Sequence, residues 1–140
     1  MTEISKELQE RHMELQMLDQ HAKQIQKQIE TVDTQMGELL SVKQGLDELS
    51  AIKAGSETLV PISPGIFVKG IIKDAKKLIV NVGGNVAVKK TIPETQQLLE
   101  KQAQSIHDVR NQLVQQLQQV VEVVQIKQEE ALKLIEEQNV

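Results

Sequence analysis

Three histidines are the first candidates for proton transfer or metal binding, and their positions favour neither role. His12 and His21 lie nine positions apart, which puts them on opposite faces of a helix, and His107 lies far along the chain. A zinc site needs several converging ligands, and the sequence contains no Cys. We expect solvated histidines on helix surfaces, no catalytic or metal-ligating residue and no enzyme activity.

A phosphate cradle is the second candidate, at Gly83-Gly84-Asn85. A phosphate-binding loop of this kind is followed by a helix that carries Lys-Ser or Lys-Thr, and no such segment follows here. A hairpin turn explains the same residues better, because Gly and Asn tolerate the positive φ that tight hairpin turns need. We therefore expect no nucleotide and no other cofactor.

A lysine cluster in the middle of the chain is the third candidate. Binding of single-stranded nucleic acid combines cations with aromatic side chains on which bases stack, and the chain has a single Phe, with no Trp or Tyr. Its formal net charge is -4. We expect a solubilising surface of a sheet and no nucleic-acid partner. The cluster comprises Lys69, Lys73, Lys76, Lys77, Lys89 and Lys90.

Composition limits the architecture that could position any of these residues. The chain has 140 residues, of which 39% are hydrophobic and 1% aromatic. Aliphatic side chains must therefore supply the core, which favours helix-on-helix packing. The opening residues lack the apolar region of a signal peptide, and no apolar stretch reaches the ~20 residues of a spanning helix. We expect a cytoplasmic protein without a membrane partner.

Glutamine and glycine divide the chain into three parts. Eight Gln lie at or before Gln44 and twelve at or after Gln96, with none between, whereas five of the seven Gly lie within residues 55–92. We predict an N-terminal coiled-coil helix over residues 1–54, two β-hairpins over 55–92, and a C-terminal coiled-coil helix over 93–140.

Both outer parts carry apolar residues at alternating spacings of four and three, the pattern of a coiled-coil seam. Four cations interrupt it: Arg11, Lys43, Arg110 and Lys127. The first seam runs through Ile4, Leu8, Arg11, Leu15, Leu18, Ala22, Ile25, Ile29, Val32, Met36, Leu39, Lys43 and Leu46. The second runs through Leu99, Ala103, Ile106, Arg110, Leu113, Leu117, Val120, Val124, Lys127, Ala131 and Leu134.

Helices of nearly equal length on either side of an insert favour an antiparallel pair with the insert at the bend. The fold class is therefore α+β, a long antiparallel coiled-coil hairpin with two β-hairpins inserted at the bend. A register with Lys53 opposite Glu94 would bring Arg110 near Glu38. It would also bring Arg11 near Glu136 and Glu137.

Short β-branched runs separated by turn residues predict four strands in the middle part. Two hairpins with one aromatic residue cannot enclose a core, and their open edges would promote aggregation. We predict that these strands pair with strands of other subunits. The expected oligomerisation residues are Leu59, Val60, Ile62, Phe67, Val68, Ile71, Ile72, Leu78, Ile79, Val80, Val82, Val86 and Val88.

Apolar residues outside the seam near both chain ends have no evident internal partner. They fit either a wide core stripe or an adaptable surface that binds many apolar partners weakly. The second alternative makes them a binding site for unfolded polypeptides. With the terminal seam residues, the candidates are Ile4, Leu8, Met13, Met17, Leu132, Ile135 and Val140.

The order helix, two hairpins, helix resembles prefoldin, and specifically its α-type subunit. The resemblance is strongest in Glu57-Thr58-Leu59-Val60-Pro61-Ile62, Phe67-Val68-Lys69-Gly70-Ile71-Ile72-Lys73-Asp74 and Lys77-Leu78-Ile79-Val80-Asn81-Val82-Gly83. After Gly83 the sequence departs from the family pattern. Two hairpins match the α-type subunit, whereas the β-type has one.

The resemblance implies an archaeal-type hexamer of two α-type and four β-type subunits. It implies an ATP-independent chaperone, or holdase, that captures unfolded polypeptides at the coiled-coil tips and delivers them to a group II chaperonin. One alternative remains from the residues alone, a structural coiled-coil scaffold or tether without such clients. A periplasmic adaptor with a helical hairpin is disfavoured, because its β segments would flank the helices, whereas here the helices flank the β segment and no export signal is found.

Overall fold

Along the chain, one long helix precedes four strands and a second long helix follows them. The computed structural model describes residues 3–138, without the side chains of Ile4 and Gln138. Helix α1 spans Glu3–Ser50 and helix α2 spans Ile92–Gln138. Between them lie β1 (Glu57–Ser63), β2 (Ile66–Ile71), β3 (Lys77–Gly83) and β4 (Val86–Thr91). The predicted fold class is confirmed.

Burial along both helices follows the predicted seam. Every predicted seam residue whose side chain is described is buried or half-buried, while most positions between them are exposed. A stripe with this spacing stays on one face of a helix, so it can pack along a partner helix over many turns. The most buried seam residues are Ile25, Val32, Leu39, Leu46, Leu99 and Val120.

The chain divides into two compact units. The first combines α1 up to Gln35 with α2 from Ile106 onward. Here the two helix segments are antiparallel, because Arg110 pairs with Asp33 whereas Lys127, later in α2, pairs with Glu14, earlier in α1. This unit has no β-strand among its described residues.

The second unit comprises residues 36–105 and contains the adjoining helix segments and all four strands. Its helix segments are also antiparallel: Lys43 pairs with Glu100, and the Gln96 amide donates to Asp47. Its buried side chains include Leu39 and Leu46 of α1 and Leu99 of α2.

Helix α2 begins directly at the end of strand β4. The Thr91 hydroxyl oxygen accepts a hydrogen bond from the backbone N–H of Glu94 at 3.2 Å and donates to the Glu94 carboxylate at 3.0 Å. These bonds resemble a capping box, which satisfies N–H groups that the first helical turn leaves unpaired. Pro93 lies in this turn, where its missing N–H has no cost.

The strands form two separate antiparallel pairs, β1 with β2 and β3 with β4. We call them the first and the second hairpin. Gly84 and Asn85, which connect β3 to β4, both have positive φ, the condition for a type I′ turn. The predicted hairpin turn explains this segment. Ile72 lies just beyond β2, where its N–H donates to the Ser56 carbonyl.

None of the helices described between residues 3 and 138 is both long enough and apolar enough to span a membrane.

Replacing the most buried seam residue should weaken the fold. Ile25 is 2% exposed, and Ile25→Ala should lower the free energy of unfolding by about 2–4 kcal/mol because it leaves a cavity. Thermal unfolding followed by circular dichroism at the helix band measures this loss. Ile126→Ala is the matched control, since Ile126 is exposed; its effect should stay within about 0.5 kcal/mol. Equal losses in the two variants would contradict the seam assignment.

Candidate functional site

The residues that could perform catalysis are dispersed. His12, His21 and His107 are exposed, and His12 makes a hydrogen bond with Gln16 on the same helix. Among residues 3–138, no three His, Asp or Glu side chains are arranged to hold a metal ion.

The predicted tip residues are mostly exposed apolar side chains of the first unit. Met13 and Met17 lie one helical turn apart on α1, with Met17 70% exposed. Leu132 and Ile135 of α2 are also exposed. Leu8 is half-buried at the seam, whereas the Ile4 side chain and Val140 lie outside the described residues. We call Met13, Met17, Leu132 and Ile135 the tip patch.

The helix register differs from the predicted one by more than a turn. Arg110 pairs with Asp33, at 2.7 Å, rather than with Glu38. Arg11 pairs with Glu130 rather than with Glu136 or Glu137. Residues near Arg11 therefore lie beside Glu130, and Leu132 and Ile135 lie level with residues that precede Arg11 rather than with Met17. A register with Lys53 opposite Glu94 would put all four tip-patch residues side by side, and the observed ion pairs contradict that register.

All four cations in the seam pair with a carboxylate of the other helix. In the first unit, Lys127 reaches Glu14 at 3.2 Å and lies 4.0 Å from Glu130, which also binds Arg11. The Nε of Arg11 is buried and has no hydrogen-bond partner among the described residues. Polar groups at seam positions specify register at a cost in stability. These pairs therefore fix which residues face each other.

Arg110 shows the electrostatic effect of such a pair. The hydrogen bond to Asp33, and then the attraction of its negative charge, raise the pKa of the Arg110 guanidinium. Arginine is charged at all physiological pH values, so the pair supplies a constant positional restraint rather than a pH-dependent one.

An open groove in the first unit was not predicted. It has a volume of about 660 Å³. Its apolar lining consists of Leu15 and Ala22 from α1 and Val121 and Val124 from α2. Its polar lining consists of His12, Asp19 and four glutamines. The signal was available in the run Val120-Val121-Glu122-Val123-Val124, where only two of the four valines belong to the seam. The glutamines are Gln16, Gln26, Gln125 and Gln128.

The first hairpin is apolar on both faces. Directly paired residues share a face of a sheet, so Leu59 with Lys69 and Pro61 with Phe67 form one face. Val60 and Val68 form the other. Side chains on both faces are exposed, including Phe67 at 55% and Ile71 at 70%. The predicted oligomerisation residues of this hairpin are Leu59, Val60, Ile62, Phe67, Val68 and Ile71, and all are exposed in the single chain.

The second hairpin has one mainly apolar face. Leu78, Val80 and Val88 are half-buried on this face, whereas Val82 and Val86 near the turn are exposed. The opposite face carries Ile79 among polar side chains. Ile72 is half-buried and lies one residue beyond the end of β2.

The two helices pack along a seam that contains ion pairs, and the chain between them forms two β-hairpins with exposed apolar side chains. These features define a class of coiled-coil subunits with an inserted β segment. The family model described as Prefoldin subunit matches residues 18–137 of the chain. The chain belongs to the prefoldin family, which is a family of chaperone subunits rather than of enzymes.

Individual relatives agree with this assignment. The chain is 31% identical to prefoldin subunit alpha of Thermofilum pendens over 77% of this chain and 84% of that protein. It is 37% identical to prefoldin subunit alpha 1 of Thermococcus kodakarensis over 72% of this chain and 69% of that protein. The predicted α-type resemblance is confirmed.

A solved structure supports the fold independently. The filamentous PFD from Methanocaldococcus jannaschii, determined by cryo-EM, superposes with a TM-score of 0.74 at 18% identity. The match covers 79% of this chain and 92% of that one.

Replacing a seam cation with an apolar residue should test the role of the ion pairs. Arg11→Met should change the free energy of unfolding by less than about 1 kcal/mol, because better seam packing offsets the lost pair. The salt dependence of unfolding should decrease. Thermal melts at low and high salt measure both quantities.

The control is Lys23→Met, which removes an exposed pair with Asp19 on the same helix and should have little effect on stability. A loss above about 2 kcal/mol for Arg11→Met would show that the pair contributes more than packing can replace.

Proposed function

We propose that this chain is an α-type subunit of a cytoplasmic prefoldin hexamer with four β-type subunits and a second α-type subunit. The complex holds unfolded polypeptides without ATP and delivers them to a group II chaperonin. Residues 55–92 form the oligomerisation platform in this proposal, and residues 1–54 and 93–140 form the coiled coil that contacts clients.

The exposed apolar residues of the first hairpin are the observation that carries the assembly proposal. A two-stranded hairpin alone is marginally stable in water, and both faces of this one expose large apolar side chains. Pairing and packing with strands of other subunits removes these surfaces and the free strand edges from water.

The tip patch supports the holding activity. Unfolded chains expose apolar segments, and Met side chains adapt to partners of different shape. Met13 and Met17 are exposed outside the seam, so contact with a client need not open the helix pair. Each such contact is weak and reversible.

The groove of the first unit extends this surface with groups suited to a polypeptide backbone. Its glutamine side chains carry both donors and acceptors, which unfolded segments can use for backbone groups that lack partners. Its apolar floor accepts aliphatic side chains. Neither interaction requires a particular client sequence.

Several subunits acting together supply the strength of holding. When one client touches several tips, the second contact is intramolecular, and total affinity rises far above that of each contact. Release needs no nucleotide, because a chaperonin that binds the same apolar segments can compete for them.

Removing apolar character from the tip patch should abolish holding. The variant carries Met13→Gln, Met17→Gln, Leu132→Gln and Ile135→Gln and is reconstituted with its partner subunits. We expect loss of most suppression of aggregation, measured by light scattering of a chemically denatured enzyme without ATP. Truncation before about Met17 and after about Glu130 should have the same effect, but it also removes Arg11 and Glu14 from the ion-pair network.

The matched control replaces four other exposed apolar residues, with Leu40→Gln, Val42→Gln, Val109→Gln and Val123→Gln. It should retain holding. Full holding by the tip variant would refute the tip assignment, and an assembled complex that never holds denatured protein would favour the scaffold alternative.

A charge in the first hairpin should prevent assembly without unfolding the chain. Ile71 is 70% exposed in the single chain, so Ile71→Lys should leave helix content unchanged but should block the complex, because burial of an unpaired charge is costly. Val80→Lys should also block it. Sedimentation of co-expressed subunits measures assembly.

Ala87→Lys is the control, because Ala87 is exposed and shares a face with Asn81 rather than with Val80. Normal assembly of the Ile71→Lys variant would remove the first hairpin from the interface.

A further inference from the structure

Two methionines lie together on α1 outside the seam. Met13 is 62% exposed, Met17 is still more exposed, and they are one helical turn apart. On a helix surface, the neighbours of a residue lie three and four positions away. Apart from each other, the neighbours of these two at such spacings are polar: Gln9, Glu10, Glu14, Gln16, Gln20 and His21. Each thioether therefore has only the other as an apolar neighbour along α1.

The remaining methionine that the structure describes lies in the seam. Met36 is half-buried, because a seam residue packs between the two helices. The chain contains no Cys, so no thiol competes with the thioethers for an oxidant. Since susceptibility to oxidation follows exposure, the reactive sulfur of the described residues is concentrated at Met13 and Met17.

Oxidation of these methionines would change the property that the tip patch supplies. A thioether is apolar and flexible, whereas a sulfoxide is polar and chiral. Because Met13 and Met17 lie outside the seam and are exposed, the added oxygen meets solvent rather than the packed interface between α1 and α2. The surface would lose apolar character while the helix pair stays folded.

We propose that Met13 and Met17 form a reversible oxidation site through which hydrogen peroxide weakens the grip of the tip patch on clients. The proposal rests on the holding part of the proposed function. In each reaction a sulfur lone pair attacks one peroxide oxygen, so that an S–O bond forms and the O–O bond breaks. The second oxygen leaves with both hydrogens as water. Sulfur is oxidised by two electrons, and the peroxide is reduced by two.

The reverse reaction needs a dithiol as reductant. Methionine sulfoxide reductases, one for each sulfoxide epimer, break the S–O bond, release the oxygen as water and convert two thiols into one disulfide. These enzymes must reach the side chain, which the exposure of Met13 and Met17 permits. The first unit has no β-strand among its described residues, so pairing between strands does not by itself cover the site.

Peptide mass spectrometry tests the selectivity of oxidation. The full chain is treated with hydrogen peroxide, the excess is removed with catalase, and the chain is digested with trypsin. Cleavage after Arg11 and Lys23 releases Met13 and Met17 in one peptide, and Met36 lies in another. We expect sulfoxide to form in the first peptide at least about fivefold faster than in the second, because its methionines are the more exposed.

Holding is measured after the treated chain is combined with untreated partner subunits, so that methionines of those subunits do not contribute. Oxidation should raise the concentration of complex needed for half suppression of aggregation at least about threefold, because weakening one contact lowers the affinity of all contacts together. Methionine sulfoxide reductases with dithiothreitol should restore the original value. Helix content, followed by circular dichroism, should not change.

Two variants separate the exposed pair from the other methionines. One carries Met13→Leu and Met17→Leu, which keeps the surface apolar but removes both thioethers. The matched control carries Met36→Leu, a swap of similar volume in the seam. Each variant is compared with its own untreated form. Peroxide should leave holding by the first variant unchanged and should weaken holding by the control as much as it weakens holding by the original chain.

Three results would overturn the proposal. The first is oxidation of Met36 as fast as that of the exposed pair. The second is unchanged holding by the original chain once both exposed methionines are sulfoxides. The third is loss of holding by the peroxide-treated Met13→Leu, Met17→Leu variant, which would put the sensitive group elsewhere. The rates of oxidation do not depend on holding, and an untreated complex that never holds denatured protein would count against the proposed function instead.

Discussion

The antiparallel packing of α1 against α2 in each unit depends on a seam that is apolar except at four positively charged positions. Apolar spacing keeps the stripe facing a partner, but it specifies the register poorly because similar layers recur every few residues. The ion pairs of Arg11, Lys43, Arg110 and Lys127 supply the missing information. Each is partly exposed, so its main effect is to select one alignment rather than to add much stability.

The hairpins, unlike the helices, do not complete their packing within one chain. Their sequences specify strands and turns locally, yet the strands expose more apolar surface than a two-stranded sheet can bury. The helices satisfy their own apolar stripes within the chain, whereas the first hairpin does not. This contrast separates a part that one chain completes from a part that needs others, and it is the physical basis of the proposed assembly.

Sequence reasoning succeeded where a local pattern had one solution. The spacing of Leu15, Ala22 and Ile25 identified the seam, and Gly83-Gly84-Asn85 identified the turn. It failed for the register because Glu30, Asp33 and Glu38 all lie within reach of a long arginine side chain under slightly different alignments. Similar apolar layers recur along the seam, so the apolar spacing alone does not select Asp33. The groove was not predicted because Val121 lies beside the seam, and the seam spacing carries no information about residues beside it.

The two ends of the β segment are attached to the helices differently. Between Ser50 and Glu57 the chain passes through a turn and a short irregular segment, whereas Thr91 ends a strand and Ile92 begins a helix without any residue between them. Added length on the α1 side can be absorbed by that connection. One residue added between Thr91 and Ile92 would rotate α2 by about 100° about its axis relative to β4. Insertions and deletions are therefore tolerated between Ser50 and Glu57. Between Thr91 and Ile92 they would turn the apolar face of α2 away from its packing partners.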